Sequence, residues 1–267
     1  MSTSDIDDAV LLDVDDGVAT VRLNRPERRN ALSPDVIAGV TDAFEDLQAR
    51  DDVRCVVVTG SEGVFCAGGD IESMGERERT TAADAVERIT DSAHDLVETV
   101  ATFPLPVVAK LGGPAFGAGG AIALACDVRV ASTDAKIGFG FRQVGLTIDS
   151  GLSHFLPRLV GRGRAKDLVF SGELVDAQRA ADLGLFERVF DAETFDERAD
   201  RYVQQVASGP TAALRHSKRL LDSNGDQSLR GALQSEATAQ AALMDTADHE
   251  EGVSAFQEGR EPEFEGH

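Results

Sequence analysis

Two stretches decide the fold. One is Val57-Val58-Thr59-Gly60, a short loop, then Phe65-Cys66-Ala67-Gly68-Gly69-Asp70-Ile71. The other is Val108-Ala109-Lys110-Leu111, then Gly112-Gly113-Pro114-Ala115-Phe116-Gly117-Ala118-Gly119-Gly120. Each reads as a buried strand that passes through glycines into a helix start. Backbone N–H groups at a helix start have no partner within the helix, and the positive end of the helix dipole lies behind them. Glycines let a ligand approach such a backbone closely. Neither stretch has the GxGxxG spacing of a dinucleotide site or the GxxxxGK[ST] spacing of a phosphate loop. Spacing alone leaves two readings open: an anion or oxyanion site, or close helix packing.

Outward from these turns the chain alternates strand and helix. Residues 8–23 read as a hairpin, with AVLLDV and VATVRL flanking the turn Asp15-Asp16-Gly17. A helix starts at Ser33-Pro34-Asp35, with a capping Ser, Pro at the first position and an acid in the first turn. Its apolar face is Val36, Ile37, Val40, Phe44 and Leu47. Residues 53–59 form a buried strand. Residues 82–102 read as one helix with Val86, Ile89, Ala93, Val97 and Val100 inward. PVVAKL is a strand, GAGGAIALAC a helix and DVRVAS another strand. This order argues for βαβ units and a mostly parallel sheet. Beyond residue 150 the chain is helical apart from LFERVF. The expected organisation is an α/β core over residues 1–200 and a helical C-terminal region over 201–267.

Composition narrows the function. The chain has 267 residues, 42% hydrophobic and only 5% aromatic with no Trp, so Ala, Val, Leu, Ile and Phe must build the core. Acidic residues number 47 against 26 basic, a net charge of −21. Such a surface repels phosphate backbones and anionic lipid, which argues against nucleic-acid and membrane partners. Lysine occurs only at 110, 136, 166 and 218. An acidic, lysine-poor surface suggests a salty (halophilic) cytosol, where ions screen the self-repulsion; an ordinary acidic bacterial protein is the alternative. Cys55, Cys66 and Cys126 lack CxxC or His-rich spacing and read as buried free thiols in a reducing compartment. MSTSDIDDAV lacks signal-peptide features, and no apolar run is long enough to span a bilayer, so the expected location is the cytoplasm.

Leu23-Asn24-Arg25-Pro26, Asn30-Ala31-Leu32-Ser33, FCAGGDI, GGPAFGAGG-AIALACD and EGVSAFQEGREPEF (251–264) stand in the order and spacing of the enoyl-CoA hydratase/isomerase (crotonase) family, and the chain resembles that family over nearly its whole length. The resemblance implies a spiral of ββα units with a helical C-terminal region that builds a homotrimer or dimer of trimers. It implies an acyl-CoA substrate whose thioester carbonyl sits between the N–H groups of Gly69 and Ala118. Alanine at the second position, where the family usually has Gly, keeps the N–H. CoA contacts are implied at Arg28, Arg29, Ala31, Ala67, Gly68, Asp70, Ile71, Gly117 and Phe141. No metal and no cofactor is implied, since CoA is part of the substrate. Phe256 and Arg260 match residues at the adenine end, though Gly259 replaces the usual Lys there.

The two glutamates that handle water in the family's hydratases correspond here to Ala121 and Phe141. Neither accepts a proton, which disfavours simple hydration. That leaves Asp149, in Gly145-Leu146-Thr147-Ile148-Asp149-Ser150-Gly151. At a helix start it is either an N-cap or an acid/base. GLTIDSG followed by FLPRLVGRGRA resembles the epoxyphenylacetyl-CoA isomerase branch, where the matching Asp shuttles protons; dienoyl-CoA isomerases also carry an Asp there. Aryl-CoA dehalogenases carry one too, with a His and a Trp; here Phe141 takes the Trp position and His94 falls one residue off the His position. The expectation is an enoyl-CoA isomerase. A hydratase using Asp149 and water, and a non-catalytic CoA-binding subunit, are the alternatives. Asp70 reads as a cap for the next helix, His154 as a core histidine, and Cys66 as a buried thiol close to the site.

Overall fold

The computed structural model describes residues 9–70, 81–223, 225 and 227–267. A six-stranded sheet is built from β1 (Val10–Asp15), β2 (Val18–Leu23), β3 (Cys55–Gly60), β4 (Val107–Leu111), β6 (Val128–Ser132) and β9 (Arg188–Phe190), in the order β1-β2-β3-β4-β6-β9. Only the hairpin pair β1–β2 is antiparallel; the other neighbours run parallel. A second layer pairs β5 (Ala115–Phe116) with β7 (Lys136–Gly138), and β7 with β8 (Leu174–Asp176). Isolated parallel bridges, Cys66 with Ala115 and Leu32 with Gly69, extend this layer toward the N-terminus. Each turn of the chain thus contributes one strand to the main sheet and a short piece to the second layer. This is the spiral that the family resemblance implies.

Alternation explains why the sheet is covered on both faces. Val56 and Val58 of β3, with Val107 and Ala109 of β4, point into a large core. That core is shared with α1 (Pro34–Gln48), α3 (Asp95–Thr102), α4 (Ala118–Ala125) and α5 (Leu152–Ser171). Cys55 and Val57, with Val108 and Val130, point the other way. They meet Phe195, Ala199, Val203 and Ala207 of α7 (Phe195–Ala207). Ser33 caps α1 through its side chain, which accepts from the N–H of Val36.

α6 (Ala177–Leu183) adds Ala177 and Ala180 to the large core, and the C-terminal part contains α8 (Thr211–Ser223), α9 (Leu229–Leu243) and α10 (Ala247–Glu258). Arg54 straps this part to the core. Its guanidinium donates to Gly209 O, Phe264 O and Thr211 Oγ1. Asp248 holds the last residues by accepting the N–H groups of Glu265 and Gly266.

One element departs from the periodicity. Residues 82–102 are not one α-helix. They divide into α2 (Ala82–Ile89), a π turn at Thr90–His94, and α3. The expected inner residue Val86 is 65% exposed, while Val97 and Val100 are buried. The π turn, with its wider i→i+5 spacing, breaks the single stripe that a uniform 3.6-residue period would give. The strand expected over 53–59 starts at Cys55, because the N–H groups of Arg54 and Cys55 both donate to Gly17 O at the hairpin turn.

Candidate active site

The two glycine turns meet in the second layer. The N–H of Leu32 donates to Gly68 O and that of Asp70 to Leu32 O. In a parallel bridge this pattern leaves the N–H of the intervening residue, Gly69, pointing away from the partner segment. The neighbouring N–H of Gly68 is taken by Cys66 Sγ, at 3.5 Å. In the other turn the N–H of Gly117 donates to Gly138 O, and Ala118 opens α4. Its N–H is one of the groups that a helix start leaves without an intrahelical acceptor. Among the described residues no hydrogen bond uses the N–H of Gly69 or of Ala118.

Backbone geometry requires glycine at two of these positions. Gly68 has φ +95° and Gly117 φ +57° with ψ −123°. The turns are held side by side by Phe116 N–H to Cys66 O and by Phe65 and Cys66 N–H to Pro114 O. Cys66 is fully buried beneath them, and burial pushes its thiol up to about 12. It is therefore a neutral packing group at neutral pH, as its sequence context suggests.

A loop from the N-terminal part closes over this pair. Arg29 and Asn30 both adopt positive φ, 53° and 54°. Arg29 O accepts the N–H of Ala67. Asn30 is completely buried; its Nδ2 donates to Ser61 O and Val64 O, and its Oδ1 accepts from Arg25 N–H and Ser61 Oγ. Asn30 thus pins the loop that carries Arg28 and Arg29, both exposed, and Ala31, which is buried. Asp70 reaches Arg25, 3.5 Å from its guanidinium. Ile71 and the helix that Asp70 was expected to cap lie outside the described residues.

Asp149 does not cap α5. The helix begins at Leu152 with Gly151 as its N-cap, and the capping residue makes no side-chain bond. Instead, Asp149 Oδ1 accepts the N–H of Ser150 at 2.6 Å and lies 2.5 Å from His94 Nε2. Ser150 is buried and held at φ +54°, an uncommon conformation for a residue with a Cβ. His94, at the end of the π turn, falls one residue off the dehalogenase His position in sequence. An extra residue in a helical turn is what a π turn accommodates.

Phe141 is half-buried in the 3-10 turn Gly140–Val144, and Ala121 is fully buried core. Neither position holds a group that ionises. Arg260 is committed elsewhere, in bidentate contact with Glu251 and bonded to Glu258, and Phe256 is exposed. A recess of about 630 Å³ on the other face of the main sheet is ringed by Asp13, Asp15, Glu62 and Asp134 and contains none of the candidate residues. Among the described residues no metal-ligating cluster occurs, and no helix is long and apolar enough to cross a membrane.

Among the described residues, two N–H groups without an acceptor thus stand at neighbouring glycine turns of a two-layer spiral, an arrangement that can polarise a carbonyl oxygen. A family description, enoyl-CoA hydratase/isomerase, matches residues 13–267. The chain belongs to the enoyl-CoA hydratase/isomerase family, whose members act on acyl-CoA substrates and share the crotonase fold. It is 34% identical over 257 residues to the 1,2-epoxyphenylacetyl-CoA isomerase of Escherichia coli, covering 96% of this chain and 98% of that protein. It is 30% identical over 256 residues to the mitochondrial methylglutaconyl-CoA hydratase of Mus musculus, covering 94% of this chain and 80% of that one. The crystal structure of the enoyl-CoA hydratase from Bacillus anthracis superposes with a TM-score of 0.91 at 30% identity, covering 97% of this chain and all of that one.

Proposed function

We propose that the chain is an enoyl-CoA isomerase. The observation that carries this reading is the placement of proton-accepting groups. Ala121 and Phe141 stand where a pair of glutamates would activate water, and Asp149 is the carboxylate set in a strained turn with one oxygen already fixed. The thioester oxygen docks on the N–H groups of Gly69 and Ala118. That interaction acidifies a Cα or Cγ proton, because the enolate oxygen gains charge where the two donors are fixed in advance. The C–H bond breaks, its electron pair flows toward the thioester oxygen, and the proton passes to Asp149. Asp149 returns it to a different carbon, which moves a double bond or completes the opening of a strained ring. Water is not consumed.

Arg28 and Arg29 are the groups placed to meet the CoA phosphates. Ala31, Ala67, Gly68, Asp70, Gly117 and Phe141 line the path of the pantetheine arm and acyl group, and no cofactor beyond the substrate's own CoA is required. Exposed apolar residues of the C-terminal helices, Leu229, Leu233, Met244 and Phe256, support assembly as a homotrimer or a dimer of trimers. The −21 charge supports function in a saline cytoplasm.

The test is a panel of unsaturated acyl-CoAs with wild type and Asp149→Asn. Isomerised product without a gain of water mass is expected from wild type, with a loss of about 10² to 10⁴ in the variant. Water addition by wild type would make it a hydratase. Tight CoA binding without any turnover would make it a binding subunit. Undiminished isomerisation by folded Asp149→Asn would overturn the role of Asp149.

A further inference from the structure

The contact between His94 and Asp149 bears on how the carboxylate works, and rests on the isomerase reading above. An imidazole nitrogen and a carboxylate oxygen 2.5 Å apart must have a proton between them, since two lone pairs would repel at that distance. Oδ1 therefore receives two donors, His94 Nε2–H and the N–H of Ser150. Among the described residues Oδ2 has no protein partner. The contact is assembled from two irregular pieces of backbone. The π turn at Thr90–His94 ends on the histidine, and the left-handed pair Ser150–Gly151 follows the aspartate. Such irregularities persist where the surroundings over-determine them, and they cluster at functional sites. The fit around Gly151 is close: an added Cβ would lie 2.6 Å from the Phe155 ring and 3.3 Å from Val97 of α3. The Asp149 turn is thus wedged against the helix that follows His94.

We infer that His94 is a positioning residue for Asp149, donating Nε2–H to Oδ1 so that Oδ2 alone is presented to the substrate proton. The bond fixes the carboxylate rotamer through the whole cycle. When Oδ2 takes the proton from carbon, Asp149 becomes neutral while Oδ1 keeps both donors, so the same oxygen returns the proton. No net proton leaves the pair, and His94 does not touch substrate. The arrangement suits a 1,3 transfer within one bound molecule, where the acid and base must be one group, better than it suits delivery of water.

His94→Ala should lower kcat on the isomerised acyl-CoA by about 10- to 100-fold, the loss of one charge-assisted hydrogen bond, with KM nearly unchanged. Added imidazole should raise the rate of His94→Ala, and His94→Gln, whose amide N–H can replace Nε2–H, should recover part of it. Wild-type kcat in His94→Ala overturns the inference. So does a slow His94→Ala that neither imidazole nor the Gln substitution improves, which would mark a merely structural residue. An independent readout separates this from failure of the isomerase reading. Proton NMR of the full chain should show a strongly downfield imidazole N–H that is absent in His94→Gln. Its absence from wild type removes the hydrogen bond and the inference with it, whichever reaction the enzyme catalyses.

Discussion

The Cβ that Gly68 lacks would stand 3.4 Å from the backbone nitrogen of Ala118 and 2.7 Å from Phe116 O. The two glycine turns approach each other at this point, and the open side of the Ala118 N–H exists because residue 68 has no side chain. Gly68 also sits at φ +95°, where L residues are strained.

Gly68→Ala is therefore expected to cripple catalysis. The methyl group would push the second turn away and crowd the Ala118 N–H. Removal of one oxyanion donor lowers kcat about 10²- to 10³-fold in enzymes that rely on such a pair. Steady-state kinetics on a variant shown to be folded by circular dichroism provide the check. Activity within a few-fold of wild type would mean that this N–H does not meet the thioester oxygen.

Asn30 is expected to matter for stability more than for chemistry. Its amide makes four hydrogen bonds in a fully buried setting, two as donor to Ser61 O and Val64 O and two as acceptor from Arg25 N–H and Ser61 Oγ. Asn30→Ala leaves several of these groups buried and unpaired, at about 1–3 kcal/mol each. A loss of at least about 3 kcal/mol is expected in urea denaturation. Because the same amide pins the loop carrying Arg28 and Arg29, KM for the acyl-CoA should rise in whatever fraction remains folded. A loss below about 1 kcal/mol would show that water readily replaces the amide.

These two residues show what sequence can and cannot reveal. The strands and the glycine turns were legible because burial on both faces gives continuous Val-rich runs, and because strand-to-glycine-to-helix spacing is local. The Gly69 and Ala118 positions came from motif order; in the structure the neighbouring N–H groups of Gly68 and Gly117 are used internally. The second-layer strands β5, β7 and β8 were not legible: two or three residues carry no period. Val86 was misplaced because a 3.6-residue stripe cannot register a π turn. His94 falls one residue off the family's His position in sequence for the same reason, and its pairing with Asp149 was not legible because the partner lies 55 residues away. The cap reading of Asp149 failed because the Ser150–Gly151 pair delays the helix to Leu152, a backbone event with no marker beyond a glycine.

The three cysteines give a pH prediction whose sign is fixed. Cys55, Cys66 and Cys126 are all buried, and burial pushes each thiol from its ordinary 9 up to about 12. At neutral pH both folded and unfolded chains hold these protons, so the stability is fully present below about pH 9. Between about 9 and 12 the unfolded chain releases them and the folded chain does not. The unfolded state then binds fewer protons, and the free energy of unfolding falls as pH rises, by about 1.4 kcal/mol per pH unit for each thiol. Urea midpoints should accordingly drop across this window. Cys66→Ser, which retains an acceptor for the Gly68 N–H but does not titrate, should reduce the slope by roughly a third. Thiol reagents at pH 8 should leave the native chain unmodified and react with all three cysteines only after denaturation. An alkaline slope identical in Cys66→Ser and wild type, or rapid labelling of the native chain, would contradict the burial of Cys66 beneath the two N–H groups.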